Sequence, residues 1–114
     1  MIQIYHNPRC GKSRNCLAFI DQTNQDYEII PYVTETPSFD ELKSLLQKLD
    51  LQPIELVRAK EKIWIENYKG KTMHDDEIIQ SMADHPILIE RPIIVKDGKA
   101  IIGRDLDRVA SFLD

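Results

Sequence analysis

The sequence predicts an α/β fold built on a mixed β-sheet. Three observations predict it: a β-prone run at the N-terminus that breaks into a loop and then a helix-sized segment, a hairpin signature near the C-terminus, and helical periodicity through the middle.

Taken in order, Ile2, Ile4 and Tyr5 make a short strand, and Asn7-Pro8 followed by Gly11 breaks it. No breaker occurs from Lys12 to Asp21, where Cys16, Leu17, Phe19 and Ile20 form an apolar side of a helix. Tyr27 to Val33 is rich in β-branched and aromatic residues and reads as a second strand, with Pro31 marking a strand end or edge. Ser38 then opens a helix on which Leu42, Leu45, Leu46 and Leu49 recur at helical spacing, and Ser38-x-x-Glu41 has the form of a capping box. A short helix is expected after Pro53. Another is expected from Asp75 to Ala83, with Ile78, Ile79 and Met82 on one face. Trp64, Tyr68, Ile63 and Ile65 are expected to pack the insertion against the sheet. Ile93-Ile94-Val95, Asp97-Gly98 and Ala100-Ile101-Ile102 follow as a hairpin, and a last helix runs from about Asp105 to Phe112. With no repeat, low-complexity tract or linker, residues 1–114 read as a single domain carrying a helical insertion at about 38–84.

Composition narrows the function. A chain of 114 residues, 42% hydrophobic and 30% charged, can bury a core without disulfides or a structural metal. A formal net charge of −4 argues against nucleic-acid or anionic-membrane binding, which call for a basic excess. There is no secretory signal pattern and no run long enough to span a membrane, so a cytoplasmic location is expected. A reducing compartment disfavours a structural disulfide between Cys10 and Cys16.

Cys10 is the candidate nucleophile. It follows a strand and precedes a helix whose first turn presents unpaired N–H groups, a placement that lowers a thiol pKa. His6, Arg9, Lys12 and Arg14 crowd the same loop, so the segment suits both a thiolate and an incoming anion. The competing reading makes Cys10 a small buried apolar residue. Cys16 is a poor partner: six helical residues advance about 9 Å, whereas a disulfide needs Cα atoms within about 7 Å. Ser13 stands where the second thiol of a Cys-x-x-Cys motif would be. Cys16 is expected to face the core beside Leu17 and Ile20, and reduction should need an external thiol. His74 and His85 lack ligand partners at metal-site spacing, so no metal is assigned.

The segment Ile4-Tyr5-His6-Asn7-Pro8-Arg9-Cys10-Gly11-Lys12-Ser13-Arg14 closely resembles the active-site segment of the ArsC arsenate reductase family. Leu88 to Val95, containing Arg91-Pro92, is similar to that family's Arg-Pro segment. Ile102-Gly103-Arg104 resembles its later arginine site, and Leu56-Val57-Arg58 a fourth landmark more loosely. The resemblance covers nearly the whole chain in order. It implies a thioredoxin-like fold with a helical insertion, a cis bond before Pro92, and a monomer. It implies Cys10 as nucleophile with His6, Ser13 and Arg14 supporting its thiolate, and Arg58, Arg91 and Arg104 binding the substrate. Planar guanidinium forks match a tetrahedral oxyanion bidentately, which lysine cannot do. Arsenate would be the substrate, glutathione the co-substrate and glutaredoxin the protein partner, with no bound cofactor. Two alternatives stay open: a thiol reductase of the same build acting on another small oxidised substrate, and an Spx-like regulator that binds RNA polymerase. The acidic balance and Ser13 fit the regulator poorly.

Overall fold

In chain order the elements are β1 (Ile2–Tyr5), α1 (Gly11–Gln22), β2 (Tyr27–Ile30), α2 (Phe39–Leu49), α3 (Lys62–Asn67), α4 (Asp75–Asp84), β3 (Ile93–Lys96), β4 (Lys99–Ile102) and α5 (Leu106–Leu113), with 3-10 turns at Pro53–Leu56 and Pro86–Leu88. They come from a computed structural model that describes residues 1–114. The chain forms two compact units, Met1–Glu35 with Arg91–Asp114, and Thr36–Glu90.

The first unit holds a four-stranded mixed sheet in the order β2-β1-β3-β4. β1 runs parallel to β2, with Ile4 opposite Ile29, and antiparallel to β3, with Ile4 opposite Ile94. Strand alternation sends Ile2 and Ile4 to one face, where they join Cys16 and Ile20 of α1, Ile94 of β3, and Val109 and Leu113 of α5 in one buried cluster. Each fully buried isoleucine contributes about 1.5–3 kcal/mol, so this face anchors α1 and hence the loop before it. β2 stops at Ile30, shorter than the expected run to Val33. The cause is Pro31, which has no N–H for the ladder. Its carbonyl instead accepts from the N–H groups of Thr34 and Glu35, closing a turn that leaves Val33 exposed. The β3–β4 hairpin turns on Asp97 (φ 54°) and Gly98 (φ 77°), both in the left-handed region that a type I′ turn requires. Lys96 Nζ donates to the Leu113 carbonyl at 2.7 Å, placing a cation at the C-terminus of α5.

In the second unit, Ser38 Oγ accepts from the Glu41 N–H at 3.1 Å and starts α2, and Asp50 in the left-handed region ends it. Leu42, Leu45 and Leu46 of α2 and Ile78, Ile79 and Met82 of α4 are buried, as their spacing predicts. Trp64 is buried and stacks on Tyr68 at 5.3 Å between ring centroids. The expectation for Ile65 is corrected: it is 48% exposed, because residues adjacent to Trp64 on so short a helix turn away from the face Trp64 buries.

Candidate active site

The loop His6–Arg9 leaves the buried end of β1 and is closed by hydrogen bonds before α1 begins. The Asn7 carbonyl accepts from the Cys10 N–H at 3.0 Å, and the Cys10 carbonyl accepts from the Arg14 N–H at 3.0 Å as the first helical bond. Cys10 is therefore the N-cap of α1, with extended backbone (φ −98°, ψ 121°) and a partly exposed side chain. Partial burial pushes its thiol pKa up. The Ser13 N–H, a hydrogen bond and the charge from the Arg91 guanidinium, and the Lys12 N–H together outweigh it, so the thiol is held below its ordinary value. The sulfur makes no side-chain capping bond of regular geometry. The first-turn amides act through their dipoles on the sulfur rather than as a formal cap.

Ser13 and His6 are buried. Ser13 Oγ accepts from the Asn7 N–H at 3.1 Å and lies 2.7 Å from His6 Nδ1. Burial, and then the Arg14 charge, push the His6 pKa down, so the ring is neutral at neutral pH. A hydroxyl that accepts from Asn7 and donates to Nδ1 matches a neutral ring protonated on Nε2. Arg14 Nη1 donates to the Pro8 carbonyl at 2.9 Å. The sequence expects His6, Arg14 and the Ser13 hydroxyl to support the thiolate. The structure places all three in the Cys10 loop with hydrogen bonds inside it, and main-chain amides and Arg91 act on the thiol directly.

Arg91 is 6% exposed and its peptide bond to Pro92 is cis. Arg104 is exposed in the turn after β4. Just before it, Gly103 donates its N–H to the Pro92 carbonyl at 2.8 Å, and a Cβ there would come within 2.7 Å of Ile94 Cδ1 and 2.9 Å of Cys16 Sγ. Arg58 belongs to the other unit. Its Nε lies 3.2 Å from Glu61 Oε1 and its Nη1 4.0 Å from Glu90 Oε1. The structure thus gathers Cys10, Ser13 and Arg91, with His6 and Arg14 behind them, and puts Arg104 in the same unit. Cys16 is fully buried, and burial pushes its thiol up to about 11. No group of three or more His, Cys, Asp or Glu side chains is placed to hold a metal ion, and no helix is long and apolar enough to cross a membrane.

The Arg-Pro resemblance points to Arg91 as a site residue, while no local pattern shows that its guanidinium acts on the thiol of a cysteine 81 positions away. Sequence reading missed Asn7, although Asn-Pro initiates turns.

A family model described as the ArsC family matches residues 5–112. The arsenate reductase of Neisseria meningitidis serogroup A is 35% identical over 114 residues, covering 98% of this chain and 97% of that protein. The solved arsenate reductase from Vibrio cholerae superposes with a TM-score of 0.91 at 40% identity, covering 96% of this chain and 95% of that one. A solved Yersinia pestis protein does so with a TM-score of 0.91 at 42% identity, covering 97% of this chain and 99% of that one. The α/β architecture is accordingly the thioredoxin-like one that the sequence resemblance implied.

Proposed function

The chain belongs to the ArsC family, and from that premise we propose that it is a cytoplasmic, monomeric arsenate reductase, a single domain carrying its helical unit as an insertion. The observation that carries the reading is Cys10 at the N-terminus of α1 with the Arg91 guanidinium on its sulfur. One arginine there serves two purposes: it favours the thiolate and offers a fork to a tetrahedral oxyanion. The family resemblance gives Arg58 and Arg104 the same substrate-binding task.

The Cys10 thiolate attacks arsenic(V), and one arsenate oxygen leaves as water after protonation, giving a thiol–arsenate adduct. Glutathione thiolate then attacks the Cys10 sulfur. The sulfur–arsenic bond breaks with its electron pair going to arsenic, which departs as arsenite and leaves a Cys10–glutathione mixed disulfide. The two electrons come from two thiols, one on the protein and one on glutathione. Glutaredoxin attacks the glutathione sulfur and returns Cys10 as thiolate. An external thiol is required because Cys16 lies in the apolar cluster with its pKa near 11, a poor nucleophile at neutral pH. No cofactor or metal enters the scheme.

The test is arsenate-dependent oxidation of NADPH coupled through glutathione reductase, glutathione and glutaredoxin. Turnover that vanishes when either arsenate or glutaredoxin is omitted is expected. Absence of arsenate-dependent turnover in the complete system contradicts the reading.

A further inference from the structure

We propose that Asn7, to which the reaction scheme gives no task, is a positioning residue that holds Cys10 over the first turn of α1. The proposal rests on the reading of Cys10 as the nucleophile.

Asn7 is 4% exposed, and a buried amide is retained where its polar groups are partnered. Three of its groups are committed to the loop. Its Oδ1 accepts from the Arg9 N–H at 3.0 Å, its carbonyl accepts from the Cys10 N–H at 3.0 Å, and its own N–H donates to Ser13 Oγ at 3.1 Å. The first two bonds nest an Asx turn inside a β-turn from Asn7 to Cys10. Pro8 occupies the second position, where its fixed φ is favoured. The third bond ties the start of that turn to the helix that the turn leads into.

The consequence falls on the sulfur. Cys10 makes no side-chain cap bond of regular geometry, so its contacts with the Ser13 and Lys12 amides and with Arg91 depend on where the backbone puts the sulfur. Its direction is set by the backbone that delivers it, and that backbone is fixed from the Asn7 side by the amides of Arg9 and Cys10. Removing Oδ1 takes the partner from the part-buried Arg9 N–H and leaves the turn closed by the Cys10 N–H bond to the Asn7 carbonyl alone, which loosens the Pro8–Arg9 peptide. The Arg14 bond to the Pro8 carbonyl is the one remaining side-chain restraint on that peptide pair. A shift of that peptide changes where Cys10 sits relative to the Lys12 and Ser13 amides that act on its thiol. Asn7 therefore acts through Cys10 without touching substrate.

The test measures the Cys10 thiol pKa from the pH dependence of iodoacetamide alkylation in a Cys16→Ser background, for Asn7, Asn7→Ala and Asn7→Ser. Serine still offers an oxygen to the amide two residues on, more weakly than asparagine. Asn7→Ala is expected to raise the Cys10 pKa by about half a unit to one unit, a roughly three- to tenfold loss of thiolate below the midpoint. Asn7→Ser should fall between the two, and kcat should follow the same order with KM for arsenate changing less. A merely structural asparagine would lower the melting temperature without moving the thiol pKa, so an unchanged pKa in folded Asn7→Ala overturns the proposal. Should Asn7→Ala fail to fold, Asn7→Ser decides: a raised pKa supports the positioning role, and a wild-type pKa refutes it. If the three proteins show this pKa ordering and the wild type turns over no arsenate, the positioning role stands and the functional reading falls.

Discussion

Two cysteines, six positions apart, bracket the first half of α1, and their surroundings push their thiols in opposite directions. Cys10 stands at the helix mouth, partly exposed, with two main-chain amides and a guanidinium favouring its negative form. Cys16 lies one and a half turns on, fully buried with Ile4, Ile20 and Ile94, where a thiolate would find only hydrocarbon. The residue type is the same and the helix is the same. What differs is whether amide dipoles or methyl groups face the sulfur, and that difference assigns chemistry to one thiol and packing to the other.

The largest effect that could break this division comes from removing each sulfur in turn. Cys10→Ser should abolish arsenate reduction. Cys16→Ser should keep most of it, at a stability cost of about 1–3 kcal/mol for a hydroxyl placed in an apolar cluster. Mass spectrometry of protein trapped during turnover checks the division directly: a Cys10–Cys16 disulfide together with activity that does not need glutathione would erase it.

A smaller effect should follow from the arginines, and it sharpens the comparison by separating substrate binding from thiol activation. Arg91→Lys keeps the charge and loses the fork. With charge-assisted hydrogen bonds contributing about 1.5–3 kcal/mol, kcat/KM should fall roughly ten- to a hundredfold. Because Arg91 also lies on the sulfur, its replacement should raise the Cys10 pKa as well. Arg58→Lys and Arg104→Lys should lower kcat/KM and leave that pKa unmoved. Arg58→Lys also loses the Nε–H bond to Glu61, so that variant should show a small loss of melting temperature as well.

The smallest effect concerns His6, whose pKa is pushed below 6.5 by burial and by Arg14. The unfolded chain therefore binds a proton that the folded one refuses, and stability is lost as pH falls from about 6.5 toward the folded value. Melting temperature should drop over that range in the wild type. His6→Gln, which cannot titrate, should flatten the drop. An unflattened profile would mean that the His6–Ser13 pair is not what makes the loop acid-sensitive.

Much of this arrangement was legible in the sequence because local rules decide it. Asp97-Gly98 between β-branched runs becomes the hairpin, Ser38 starts α2, and Cys10 lands at the N-cap since the breakers before it leave no other place for the helix to begin. Where a feature depends on partners distant in the chain, local rules do not reach it. Arg91 is marked only by the resemblance of its Arg-Pro segment and by no pattern that links it to a cysteine 81 positions away, and Ile65 looks as apolar as Trp64 although only one of them is buried. The short β2 is an intermediate case. Pro31 signalled a strand end, but the β-branched residue at position 33 argued for extension, and the missing N–H of proline prevailed. His6 and Arg14 show the remaining limit: a count of cations around Cys10 suggests thiolate support, and does not show that both also hydrogen-bond within the loop.

The measurement that bears most directly on the whole account is alkylation rate against pH for two single-cysteine proteins, Cys10 alone in Cys16→Ser and Cys16 alone in Cys10→Ser. Cys10 should titrate below the free-thiol value of about 8.5 and label quickly at neutral pH. Cys16 should titrate near 11 and label slowly while the protein stays folded. A Cys10 that titrates at or above the free value, or labels no faster than Cys16, would contradict it.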